Sequence, residues 1–533
     1  MFDFLIRGGF IVDGSGSKPF RADVGVKGGK IAEIGKMDAQ MAHTTIDADG
    51  LFLSPGFIDM HSHSDFVLPA RPWAEGKIMQ GITTEVVGNC GLSAAPVNPE
   101  RLDLLRSYVD FLCEDGLSWD WTGFGDYLDR LQKREVAVNV AALVGHNTIR
   151  TAVMGFDDRA PSSSELEEMK GIVARCMREG AFGISSGLIY VPGIYASTKE
   201  LVELSKVASA HGGIYSSHIR GEGKELLNSI GEAVAIGEGA RISVEISHMK
   251  ASGKSNWGRV ADALKLIDDA NGKGLNVTFD AYPYTAGMTT MTTLLPAWAL
   301  EGGVRGLLKR LGDALTRKKL EDEVRGGFSD LTKDLVSDGG ESIMIAHCKS
   351  AKNKPLEGLS LLEVSRLRGI DAVTTVLTLL EEEEGEVSMI VFSMCDDDVR
   401  KVLGHPRGMI GTDAIDISKG RAHPRAYGTC PRVLARYVRE ERLLALEEAV
   451  MKMTSMPAVK LGLNDRGLLK EGLWADIVVF DMETIQDTAT YTQPNSFPRG
   501  IEYVLVNGQI VVESGRYQRK LAGRVLRRPK VAG

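Results

Sequence analysis

Residues 53–60 read Leu53-Ser54-Pro55-Gly56-Phe57-Ile58-Asp59-Met60 and run straight into His61-Ser62-His63-Ser64-Asp65. The first part has the apolar density of a buried strand, and the second is a polar end. Side chains of an extended segment alternate faces, so His61 and His63 point the same way. Two neutral imidazoles on one face, at the end of a core strand, suit a divalent transition metal. The competing reading is a surface turn that carries two histidines by coincidence.

The same texture recurs along the chain. Apolar runs end near His61, Cys90, Gly145, Ser186, His218, His248 and Asp280, with helix-like segments at Ser163–Glu179, Lys199–Ala210 and Val260–Asn271. Alternation at intervals of roughly 30 to 40 residues is a βαβ rhythm and predicts a parallel sheet. About eight such units close into a barrel whose polar strand ends share one rim. The expected fold class is therefore α/β, a TIM-like (β/α)8 barrel over residues 56–464. The rhythm breaks after Asp280. Residues from about 297 to 369 are charged, Gly-rich and helical, with a strand-like Ile343–Ala346. This reads as an insertion near the active site, placed to act as a lid. The rhythm resumes at Ser388–Phe392 and Gly408–Asp413, and the second is the better closing strand.

Both chain ends look like short strands. Phe4–Val12 turns at Gly8-Gly9, Asp23–Ile34 at Gly28-Gly29, and Tyr503–Val512 at Asn507-Gly508, while Ala475–Asp481 reads as a single strand. The simplest arrangement joins residues 1–55 and 465–533 in one small β-sandwich domain.

Bulk properties exclude several classes. A net charge of −8 with no long basic run argues against nucleic acid as a partner. The basic stretch Arg519–Lys530 reads as a solvated tail. Six scattered cysteines without a CxxC pair do not form a secreted disulfide framework. Met1–Arg7 lacks a signal-peptide pattern, and no apolar run reaches the length of about 18 residues that a membrane span needs. A cytoplasmic protein with a small-molecule substrate is expected, without a membrane partner. Oligomeric state is not legible.

Five strand-end residues belong together: His61, His63, Cys90, His218 and His248. In a parallel barrel they converge on one rim. One thiolate with two imidazoles makes a three-ligand zinc site with an open position, as catalysis requires. Asp413 ends the closing strand and faces the same rim, as a ligand or a base for metal-bound water; its competing reading is a helix N-cap.

Beyond these residues, the segments "PGFIDMHSHSD", "GITTEVVGNCG", "GISSGLIYVPG", "SSHIRGEG", "EISHMKASG", "DAYPYTAG", "IGTDA" and "HPRAYGTCPRVL" resemble the D-aminoacylases. These are the N-acyl-D-amino-acid deacylases of the amidohydrolase superfamily, and the likeness covers nearly the whole chain. "HSHSD" marks only the superfamily. "GNCG" marks the branch, since hydantoinases and dihydroorotases instead bridge two metals with a carboxylated lysine. The resemblance implies that Cys90, His218 and His248 hold one tight zinc. His61 and His63 then form a second, weaker or empty position. Asp413 is implied as general base and then acid, and Tyr190 as the polariser of the scissile carbonyl. Lys250 and Tyr282 are implied receivers of the substrate α-carboxylate. The plainer readings are packing for the two tyrosines and a rim ion pair for Lys250. Arg220 and His423 lie near rim segments without a role. Met288–Trp298 contains no Arg or Lys, so neutral or hydrophobic D-side chains are expected. The rivals are a cyclic-amide hydrolase of the hydantoinase or dihydroorotase kind, a scaffold without activity, and a binding module for small acyl compounds.

Overall fold

The computed structural model describes residues 1–415 and 418–529; Lys530, the last residue of the basic stretch, lies outside them. Eight short strands run through the middle of the chain: β1 (Phe57–Asp59), β2 (Ile82–Val87), β3 (Asn139–Ala142, continued at Val144–Gly145), β4 (Gly183–Gly187), β5 (Ile214–His218), β6 (Ser243–Ile246), β7 (Val277–Ala281) and β8 (Gly408–Ile410). Each pairs in parallel with the next. Beyond its end, β8 comes back against β1. Asp413 N–H donates to the His61 carbonyl at 2.7 Å, and Ala414 bridges Ser62 in parallel. Small and β-branched residues fill these strands because both faces are covered. Helices Ser163–Glu179, Thr198–Ala210, Leu226–Ala240 and Val260–Gly272 lie between them. The first starts at a capping box, in which Ser162 Oγ accepts from Glu165 N–H and the Glu165 carboxylate accepts from Ser162 N–H.

A buried lysine ties the first strand to the last. Lys77, fully buried on the helix Glu75–Ile78, donates to Asp59 Oδ2 at 2.5 Å, Ser62 Oγ at 2.9 Å and Thr412 Oγ1 at 2.8 Å. Asp59 Oδ1 in turn accepts from Thr412 N–H at 2.7 Å. Removing one partner of a buried pair leaves a charge uncompensated, at a cost of about 3–5 kcal/mol. Lys77→Met should lower the free energy of unfolding in urea by that amount. A change below about 1 kcal/mol, the worth of an exposed pair, would show that the network adds nothing.

The segment Ser388–Phe392 does not continue the parallel set. Val387–Val391 pairs antiparallel with both Gly287–Thr290 and Ile343–Cys348 in a separate three-stranded sheet. That sheet carries its own hydrophobic cluster, including Leu307, Leu335, Ile345 and Met389. A short, fully buried apolar run does not disclose its partner, which is why the two possibilities looked alike in sequence.

At the chain ends, Asp23–Lys27 and Lys30–Gly35 form a hairpin, as do Ile501–Val506 and Gln509–Glu513 at Asn507-Gly508. Gly8-Gly9 is not a hairpin turn. It carries the chain from one sheet, where Phe2–Arg7 pairs with Asp23–Lys27 and Ala42–Asp47, to another, where Phe10–Ile11 pairs with Phe20–Arg21 and Phe52–Pro55. Phe52–Pro55 also pairs with Ile477–Phe480, so both ends share that sheet. Val24, Ile31, Leu53, Ile477 and Leu505 from the two sheets meet in one cluster. Among the described residues, no helix is long and apolar enough to cross a membrane.

Candidate metal centre

The turn after β2 explains its glycines. Gly88 and Gly91 have φ of 78° and 74°, and a Cβ on Gly88 would stand 2.0 Å from the Leu143 carbonyl oxygen. Only glycine fits such a close approach at positive φ. Between them Cys90 has φ 52°, and two further strand-end residues share this left-handed conformation, His248 at 38° and Asp413 at 50°. Non-glycine residues held there cost energy, and they cluster where side chains must be aimed.

These turns bring the predicted donors together. Cys90 Sγ lies 3.3 Å from His61 Nε2 and 3.5 Å from His248 Nε2. The His218 and His248 rings are 4.4 Å apart at their centroids, and His61 and His63 are 5.2 Å apart. Donor atoms of Cys90, His218 and His248 lie within 4.8 Å of one another, as do those of His61, His63 and Cys90, and those of His61, His248 and Asp413. All six residues are buried. His218 has no hydrogen-bond partner on either ring nitrogen, and His63 Nδ1 has none. A buried imidazole with both nitrogens unsatisfied is costly unless it binds something. The thiolate–imidazole set therefore fits a tetrahedral divalent ion such as zinc. Burial alone would raise the Cys90 thiol, but the His61 and His248 imidazoles hold it well below its usual range.

Asp413 stands beside the donors. Its Oδ1 is 3.2 Å from His63 Nε2, and its Oδ2 is 2.8 Å from the Arg425 guanidinium. Burial opposes its charge, yet Arg425, then His61 and His248, keep the carboxyl well below the usual carboxylate range. A cavity of about 80 Å³ opens onto this group and is lined by Cys90, Tyr190, His218, His248, Lys250, Tyr282 and Asp413. Tyr190 packs its ring 5.0 Å from that of His218 and meets Thr289 Oγ1 at 3.1 Å. Lys250 Nζ lies 5.8 Å from the Tyr282 ring centroid.

Residues 44–512 match the model of the amidohydrolase family. The chain belongs to the amidohydrolase family. It is 39% identical to a D-aminoacylase of Alcaligenes xylosoxydans xylosoxydans over 99% of this chain and 98% of that protein. It is similar to a solved D-aminoacylase described with a binuclear metal centre (TM-score 0.83, 36% identity, 99% of this chain and 100% of that one). It is also similar to the N-acyl-D-glutamate deacylase of Bordetella bronchiseptica, solved with zinc and a phosphonate mimic of the tetrahedral intermediate (TM-score 0.82, 35% identity, 99% of each chain).

In this amidohydrolase, three charged residues without a role in the sequence reading touch the donors. Asp280, at the end of β7, lies 3.2 Å from His61 Nδ1 through Oδ2 and accepts from His248 N–H through Oδ1 at 2.9 Å. Arg425 is 1% exposed and sits 4.6 Å over the Tyr282 ring while pairing with Asp413. Glu222 Oε1 is 2.9 Å from His248 Nδ1 and accepts from Lys250 Nζ at 2.5 Å. Their signal was their place inside "DAYPYTAG", "HPRAYGTCPRVL" and "SSHIRGEG", next to residues already singled out. The two rim residues without a role point elsewhere. Arg220 pairs with Glu232 and donates to the Ile194 and Ala196 carbonyls. His423 spends Nε2 on the Ala286 carbonyl and Nδ1 on Arg425 N–H, so both nitrogens are engaged by backbone.

Proposed function

We propose that this chain is a zinc-dependent hydrolase of N-acyl-D-amino acids, releasing a carboxylate and the free D-amino acid. The observation that carries the reading is one cluster, with Cys90, His218 and His248 donors beside Asp413, facing Lys250 and Tyr282 across one cavity. The likeness to the Bordetella deacylase solved with zinc and an intermediate mimic supports it. We read the eight strands as a (β/α)8 barrel and the paired chain ends, residues 1–55 and 465–533, as a β-sandwich. The insertion forms a lid over the cavity. Because Gly287–Thr290 and Val387–Val391 belong to the inserted sheet, that insertion extends past the 297–369 expected from sequence.

Cys90, His218 and His248 would hold the tight zinc, and His61 and His63 a second, weaker divalent ion. Bound there, zinc would lower the pKa of a water molecule toward neutrality and polarise the amide carbonyl. Asp413 accepts the proton of the attacking water at a carboxylate oxygen. It then returns that proton to the departing amine nitrogen. The Tyr190 phenol donates to the oxygen on which charge develops. Lys250 and Tyr282 receive the α-carboxylate. Fixing carbonyl and carboxylate together would leave a single face for the side chain, the arrangement that selection between enantiomers requires.

The cavity wall favours apolar side chains. Leu92, Phe111, Leu112, Met288, Leu331 and Ile415 line it, and Lys250 is its one cation among the described residues. Relatives at 39% and 35% identity bear different substrate names, so the wall carries this part of the reading rather than overall likeness. In a panel of N-acetyl amino acids with released amine measured, kcat/KM should be highest for D-Met, D-Leu and D-Phe. D-Glu and D-Asp should fall at least about tenfold lower, since a carboxylate would enter without a partner. Faster cleavage of N-acetyl-D-Glu than of N-acetyl-D-Met would reverse the side-chain assignment. Turnover of hydantoin or dihydroorotate with none of N-acetyl-D-amino acids would overturn the function itself.

A further inference from the structure

Glu222 lies on the loop after β5, four residues past His218, between Gly221 and Gly223. One of its oxygens faces two groups at once, His248 Nδ1 at 2.9 Å and Lys250 Nζ at 2.5 Å. Its side chain is 17% exposed and lines the cavity on which Cys90, His218 and Asp413 converge. Lys250 Nζ also stands 2.8 Å from His248 Nδ1, so that nitrogen has two neighbours of opposite charge.

The chemistry of the imidazole decides between them. His248 Nε2 points at Cys90 Sγ, on the metal side. An imidazole that gives Nε2 to a metal keeps its proton on Nδ1 and must donate it. An ammonium group has no acceptor capacity, whereas a carboxylate does. Glu222 is therefore the only one of the two that can take the Nδ1 proton and fix the ring. The same oxygen takes one of the three N–H bonds of Lys250, whose side chain lines the cavity.

We propose that Glu222 is a positioning residue that aims His248 at the metal and Lys250 at the substrate carboxylate through a single oxygen. This rests on the deacylase reading above for the identity of the substrate. It goes beyond that reading in making ligand geometry and carboxylate capture depend on one side chain. Loss of an acceptor behind a metal-bound histidine typically costs about 10- to 100-fold in metal affinity or activity.

The test is Glu222→Gln, which keeps shape and removes charge, alongside Glu222→Asp, which keeps charge and shortens reach. Zinc affinity is measured by chelator competition, which needs no turnover. KM and kcat are measured with N-acetyl-D-methionine and with N-acetyl-D-methioninamide, which lacks the carboxylate. In Glu222→Gln, zinc should bind about tenfold more weakly. KM for N-acetyl-D-methionine should rise more than kcat falls, and KM for the amide should stay at its wild-type value. Glu222→Asp should recover part of both losses. Zinc affinity within twofold of wild type overturns the proposal, and so does a KM that moves equally for both substrates. A wild-type enzyme that ignores both substrates counts against the deacylase reading, while the chelator measurement still judges Glu222.

Discussion

Asp413→Asn will keep its zinc and lose its turnover. The substitution is nearly isosteric, and Asn tolerates the left-handed backbone that residue 413 adopts at φ 50°. The proposed metal donors Cys90, His218 and His248 are untouched, so metal content should stay at the wild-type level. An amide cannot accept the proton of the attacking water near neutral pH. General acid–base groups contribute about 10²- to 10⁴-fold, and the proposed mechanism uses Asp413 in both directions of proton transfer. A fall in kcat of about 1,000-fold is expected, equivalent to about 4 kcal/mol in the barrier. The Arg425 guanidinium, 1% exposed and 2.8 Å from Asp413 Oδ2, loses its charged partner, so some thermal stability will go as well. Stopped assays on N-acetyl-D-methionine, with zinc measured on the same sample, read both effects. Activity within tenfold of wild type refutes the proton-transfer role. Loss of metal together with activity would make Asp413 a ligand first, which its grouping with His61 and His248 permits.

The donors were legible because buried parallel strands read as apolar runs, and a polar residue at the end of such a run has few reasons to be there. Cys90, His218 and His248 all carried that signal, and all three lie in one cluster. The strands leading to them were legible for the same reason. What was not legible depends on contacts between distant segments. Glu222 and His248 are separated by 26 positions in the chain, and Asp280 meets His61 across 219. No periodicity connects such pairs. The positive φ at Cys90 was equally hidden, since cysteine is not a type that favours the left-handed region, whereas His248 and Asp413 belong to types enriched there. Val387–Val391 failed for a different reason. Its five residues are buried on both faces, as in a central parallel strand, but its neighbours are the antiparallel strands of the insertion.

Cys90→Ser should release the tight metal and abolish activity, and it tests the centre more severely than chelation does. Serine has nearly the size of cysteine, so the turn between Gly88 and Gly91 is disturbed only by the change of sulfur to oxygen. That change matters because the thiolate is the soft ligand of the set. Cys90 is 1% exposed, and the His61 and His248 imidazoles hold its thiol well below the usual range, which favours the thiolate that a metal needs. A serine hydroxyl in the same place remains protonated and neutral. The loss in zinc affinity should exceed the about 10- to 100-fold that removing a supporting partner costs, and kcat should fall to background. Added zinc should restore little, because His218 and His248 alone offer two ligands. If the second position at His61 and His63 sustained catalysis, Cys90→Ser would retain activity in excess metal. Retained activity would move the reaction to the pair that opens the metal-binding sequence, and its absence leaves the cysteine as the residue on which the centre depends.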